Sequence, residues 1–102
     1  MSEEITIKIV NIIGSQSCIS VEEGQRVFTK VRKRIKERKP VTLSFEKTEV
    51  ISLVFLNVAI GQLYGFFDEN IIKENLKIKD LSSYDMDLLK SVVDNAKCYF
   101  NK

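Results

Sequence analysis

Few side chains in this sequence can do covalent or metal chemistry. There is no histidine, which removes Ser–His and Cys–His catalysis, imidazole metal sites and a histidine pH switch. The two cysteines, Cys18 and Cys98, stand 80 positions apart with no C-x-x-C spacing. Neither a zinc site nor a disulfide framework is indicated, and both thiols are expected reduced. Carboxylates come in pairs at Glu22/Glu23, Asp68/Glu69 and Asp85/Asp87, each at an expected helix start, where the helix dipole favours negative charge. Gly14, Gly24, Gly61 and Gly65 fit neither the dinucleotide fingerprint nor the P-loop pattern. The expectation is a non-enzymatic chain with no cofactor and no metal. Two features are left to carry function: a serine before an apolar run, Ser52, and a cluster of bases between positions 26 and 39.

Those residues need elements to hold them. A chain of 102 residues is one domain, taken here as 1–102. Val and Ile total 22 against two Ala, a bias toward strands as well as helices. Ile5, Ile7 and Ile9 alternate with polar residues and predict a strand to Val10 with those three on one face. Asn11 to Ser17 reads as a loop. Ser20-Val21-Glu22-Glu23 has the form of a capping box and opens a helix from about Val21 to Arg38, stopped by Pro40. Its apolar side is Val27, Phe28, Val31 and Ile35, with Gly24 beside them allowing close approach to a sheet. Val41–Phe45 is a second strand, whose Thr42 and Ser44 would fit under a covering helix. Ser52 is placed to cap a helix over about Leu53–Phe67, where an aspartate should be tolerated because a carboxylate also caps. A short turn at Asp68–Glu74, a strand at Leu76–Lys79 and a last helix from Ser82 or Ser83 to Phe100 complete the chain. Such alternation implies a small, mainly parallel sheet of three to four strands with three main helices, an α/β domain.

Charge is uneven. Between Glu22 and Lys39 there are eight bases and three acids. Arg26, Lys30, Lys33, Arg34 and Arg38 make a candidate basic patch on the first long helix, able to meet nucleic acid or simply to stay solvated at a helix C-terminus. Leu53 to Phe67 is apolar nearly all round, apart from the Asn57–Gly61–Gly65 line. A helix of that kind is buried on more than one side, under the last helix or in a homodimer. The apolar stretch Val50–Phe67 carries Ser52, Asn57, Gln62 and two glycines and lacks basic flanks, so it reads as a core element with no membrane insertion. Met1-Ser2-Glu3-Glu4 has no apolar signal region, and the expected location is cytoplasmic.

The run Val41-Thr42-Leu43-Ser44-Phe45-Glu46-Lys47-Thr48-Glu49-Val50-Ile51-Ser52 resembles the strand-turn-cap segment of STAS domains, the anti-sigma-factor-antagonist fold. Phe55-Leu56-Asn57-Val58-Ala59-Ile60-Gly61-Gln62-Leu63-Tyr64 is similar to a prokaryotic STAS-like branch, as is the approach to the first helix, Ile19-Ser20-Val21-Glu22-Glu23-Gly24. The likeness spans about residues 5 to 100. It implies a regulatory protein-interaction domain whose partner is a histidine-kinase-like ATPase. In that family the kinase phosphorylates a Ser or Thr at the N-terminus of the helix after the central strand. Here the matching segment is Ser52-Leu53-Val54-Phe55, and the acceptor positions fall on Leu53 and Val54, which have no hydroxyl. Ser52 alone remains, expected as a structural cap. The resemblance places partner binding at the Thr48–Ser52 turn and the start of the following helix, with Thr48, Ser52, Phe55 and Asn57 as candidate residues. The alternatives are a nucleic-acid-associated module using the basic helix and a structural homodimer.

Overall fold

Alternation carries the first strand only as far as Lys8. The computed structural model, which describes residues 4–100, places β1 at Ile5–Lys8 and turns directly into a short helix, α1 (Ile9–Ile13). The expected strand to Val10 and loop from Asn11 are thus corrected. Ile9 and Ile13 are both buried on one face of α1, a helical spacing too brief to stand out in the sequence. Gly14 closes that helix at φ 69°, its N–H on the Val10 carbonyl, a left-handed conformation that glycine adopts without steric cost.

A two-residue strand, β2 (Ser17–Cys18), leads into α2 (Val21–Lys36). The capping box forms as expected: the Ser20 hydroxyl accepts from the Glu23 N–H, and the Glu23 carboxylate accepts from the Ser20 N–H. Gly24, Val27, Phe28, Val31 and Ile35 are buried. The helix ends two residues before the expected Arg38, because Arg38 itself turns left-handed at φ 57° ahead of Pro40. Then follow β3 (Val41–Ser44), β4 (Val50–Ile51), α3 (Leu53–Ala59), a 3₁₀ segment at Gly61–Gly65, α4 (Glu69–Asn75), β5 (Leu76–Lys79) and α5 (Ser83–Phe100).

The main sheet has the order β1-β3-β5 and is parallel throughout, with Ile5 opposite Val41 and Val41 opposite Leu76. A second parallel pair joins β2 to β4. This is the expected α/β class. On one face of the main sheet Val41, Leu43 and Phe45 are fully buried with Phe55, Leu56 and Leu63. The other face is different. Thr42 and Ser44 were expected beneath a helix, yet their neighbours in register are Thr6, Lys77, Lys8 and Lys79, all exposed. The Thr42 hydroxyl reaches Glu4 at 3.5 Å and the Ser44 hydroxyl reaches Asp80 at 2.6 Å. Long side chains and short polar bonds cover this face in place of a helix.

The expected continuous helix Leu53–Phe67 is broken. Ile60 leaves helical geometry at φ −120°, ψ −46°, and the chain tightens into the 3₁₀ segment. The glycines there are seats for α5. A Cβ on Gly61 would meet Val92 at 3.4 Å, and one on Gly65 would meet the Phe100 ring at 2.7 Å. The last helix of the same chain thus covers one side of the apolar segment, while Leu53, Val54 and Phe66 stay about half exposed. Gly24 also serves a helix: a Cβ there would lie 2.9 Å from the Phe55 carbonyl oxygen and 2.9 Å from Val58 Cβ. The close approach expected against a sheet is made against α3.

Candidate functional site

Two helices begin side by side at one end of the molecule. Their starts are tied by the β2–β4 pair, in which Ser17 faces Val50 and Cys18 faces Ile51. Ser52 completes the tie with three bonds. Its N–H donates to the Cys18 carbonyl at 3.0 Å. Its hydroxyl accepts from the Phe55 N–H at 3.1 Å, capping α3, and donates to the Ile19 carbonyl at 2.9 Å. Both capacities of the hydroxyl are therefore used. An aspartate could cap here but could not donate to Ile19, so it would keep one of the two bonds. Further along, the missing side chain of Gly24 lets α2 lie against α3.

Around these starts the surface is apolar. Ile19, Val21, Val50, Leu53 and Val54 are each between 48% and 55% exposed. A first helical turn normally favours polar or acidic residues, so Val21, Leu53 and Val54 in first turns, with Ile19 and Val50 just before the caps, stand out against single, scattered exposures. Glu22 and Glu49 are exposed beside them. The Glu23 carboxyl is held below the usual range by the Ser20 N–H, with the Ile19 N–H adding to it. Behind the patch Cys18 is fully buried. Burial pushes its thiol up to about 11, and the charges of Glu23 and Asp85 act in the same direction. A thiol in that state is no nucleophile at neutral pH. The apolar surface at this end of the molecule is framed by the Ser20 and Ser52 caps.

The four candidate partner-binding residues do not gather. Ser52 lies at the patch. Thr48 closes the turn behind it, with its hydroxyl at 2.7 Å and its N–H at 3.1 Å from the Phe45 carbonyl. Phe55 is fully buried, so the surface at this helix start is made by Leu53 and Val54 instead. Asn57 is exposed but faces α5, where it borders a cavity of about 350 Å³ with Gln62, Asn95 and Phe100. Sequence reasoning passed over Ile19, Val21 and Val50. The signal was present in Ser20-Val21 and Ser52-Leu53-Val54, where a capping serine is followed at once by apolar residues.

The basic patch is also divided. Arg26, Lys30, Lys33 and Arg38 are exposed, whereas Arg34 is half-buried and donates to the Pro40 carbonyl at 2.9 Å, anchoring the end of α2. Nearby, the Arg32 guanidinium sits 4.9 Å from the centre of the Phe66 ring, which itself lies 5.5 Å from that of Phe28. Among the described residues no group of three or more acidic, cysteine or histidine side chains could hold a metal ion, and no helix is long and apolar enough to cross a membrane.

A family model described as "STAS-like domain of unknown function (DUF4325)" matches residues 23–86. That span runs from the capping box to the start of α5. No curated protein and no solved structure matches the chain.

Proposed function

From the premise that the chain belongs to this STAS-like family, we propose that it is a non-enzymatic regulatory domain that binds a protein partner at the joined starts of α2 and α3. The supporting observation is the half-exposed cluster of Ile19, Val21, Val50, Leu53 and Val54, held in place by the Ser52 bonds. It coincides with the turn and helix start that the STAS resemblance marks for partner binding. A histidine-kinase-like ATPase is the partner class that resemblance suggests. The role is akin to that of an anti-sigma-factor antagonist, read here without a phosphorylation step. Ser52 acts as cap and tie: a phosphoryl group on its oxygen would remove the proton donated to Ile19 and part the two helix starts.

Site-specific photo-crosslinking tests this reading. A photoreactive side chain at Val54 is expected to form an adduct with a purified histidine-kinase-like ATPase from the same genome. The same group at Lys36, at the far end of α2, is expected to form none. Leu53→Asp, at a half-exposed position, should abolish the adduct while leaving the thermal midpoint in place. Adducts at Lys36 alone, or equal labelling at both positions, would refute the proposal. A Val54 adduct with a second copy of this chain would replace the ATPase by a homodimer.

A further inference from the structure

The open edge of the main sheet offers a second surface, independent of the helix starts. β1 lies at one end of the order β1-β3-β5, so among the described residues one side of its backbone has no strand beside it. The Ile5 N–H points inward, to the Pro40 carbonyl. In a parallel ladder, alternate residues direct N–H and C=O to opposite sides. Thr6 therefore turns both its backbone groups outward, and Lys8 its N–H, the Lys8 carbonyl being at the cap position of α1.

This edge also forms one wall of a groove whose other wall is α2. Ile5 and Ile7 line it together with Lys30, Lys33, Arg34 and Glu37, three bases and one acid. Ile5 is 40% exposed, and Lys30 and Lys33 stand open to solvent. Alternate residues on an added strand would be roughly 7 Å apart, and side chains three apart on a helix are about 5–6 Å apart. Two acidic side chains at i and i+2 of such a strand can thus reach Lys30 and Lys33 while its backbone pairs with Thr6 and Lys8. We propose that the β1 edge binds an extended acidic peptide segment by strand addition, the two lysines of α2 selecting its charge. Main-chain pairing supplies the attachment and the basic wall the specificity.

The test uses an eight-residue end-capped peptide of alternating Glu and Val, with amide hydrogen exchange followed residue by residue. At saturating peptide, exchange at the Thr6 and Lys8 amides is expected to slow by about tenfold or more, while the outer face of α5 is unchanged. Lys30→Glu with Lys33→Glu turns two exposed attractions into repulsions and should weaken binding by about tenfold. Thr6→Pro removes an outward N–H that β3 does not use, a change tolerated on an edge strand, and should also weaken binding. A peptide N-methylated at alternate residues gives the same comparison on the unaltered protein and should fail to bind. Unchanged Thr6 and Lys8 exchange at millimolar peptide overturns the proposal, even if the lysine signals shift, because that result is charge attraction alone. Slowing that appears without peptide as protein concentration rises also overturns it, since the edge is then taken by a second copy of the chain.

Discussion

Ser52 can be replaced so that its two hydrogen-bonding roles are removed separately. Threonine keeps both the cap to the Phe55 N–H and the bond to the Ile19 carbonyl, and should lie within about 0.5 kcal/mol of the parent. Alanine loses both. The cap is worth about 1 kcal/mol and the donated bond about another 1 kcal/mol, so Ser52→Ala should cost about 2 kcal/mol. In a domain near 100 residues that lowers the thermal midpoint by roughly 10 °C. Aspartate separates the two roles. It still caps and gains up to about 0.5 kcal/mol from the helix dipole, but it cannot donate and sets a carboxylate against the Ile19 carbonyl. Its expected cost is about 1 kcal/mol, between threonine and alanine. Urea denaturation with unchanged slopes measures the series. An aspartate variant as stable as the parent would refute the Ile19 bond, and an alanine variant within about 0.5 kcal/mol would refute the stabilising role given to the Ser52 hydroxyl.

Other perturbations read other parts of the structure. Gly24→Ala gains about 1 kcal/mol of helix propensity but drives a Cβ to 2.9 Å from the Phe55 carbonyl oxygen, where overpacking costs about 1–3 kcal/mol. A net loss of about 1 kcal/mol in urea melts is expected, and a stabilised variant would show that the helices are not so close. In the native protein at pH 8 a maleimide should label Cys98, which is exposed, and spare Cys18, which is buried; mass spectrometry should find one adduct, rising to two in urea. Because the Cys18 thiol is raised from 9.0 to about 11, the unfolded chain ionises first, and stability should fall as pH climbs from 9 toward 11. Cys18→Ala should flatten that part of the curve. The Glu23 carboxyl is shifted the other way. Its contribution is present above the unfolded value and lost as pH falls through the lower folded one, so Glu23→Gln should flatten the acid limb.

Features decided within a few residues were legible in the sequence. The capping box at Ser20 and Glu23, the buried stripe of α2 and the cap at Ser52 all depend on spacings of three or four positions. The strands at Val41 and Leu76 were legible from apolar residues alternating with polar ones. What was not legible depended on contacts distant in sequence. The break at Ile60 follows from Val92 and Phe100 seating on Gly61 and Gly65, residues some 30 positions away. Phe55 was taken for a contact residue, and Leu53 and Val54 only for positions lacking a hydroxyl, because an apolar run does not reveal which members face outward. The sheet face without a helix escaped for the same reason: Thr42 and Ser44 suit short bonds to Glu4 and Asp80 as well as a covering helix. Of the four candidate contact residues, Ser52 borders the exposed apolar cluster, Thr48 holds the turn behind it, Asn57 lies toward α5 and Phe55 is buried.

The parallel ladders impose an order on how this chain can be made. Ile5 meets Val41 and Val41 meets Leu76, while Cys18 meets Ile51. No described strand pairs with one reached by a tight turn, and each ladder must close a loop of more than 30 residues before it gains its first bond. The entropy of those closures comes early, and non-local pairing of this kind slows folding relative to helical domains of the same size. α2, itself local, is the natural first structure, and β3 can find its place only once α2 has something to lie on. During synthesis β5 emerges well after β3, so β3 waits with one edge open until residues 76–79 have left the ribosome. A chain truncated before Leu76 would be left with that edge unpaired, the state in which a nascent strand is most exposed to aggregation.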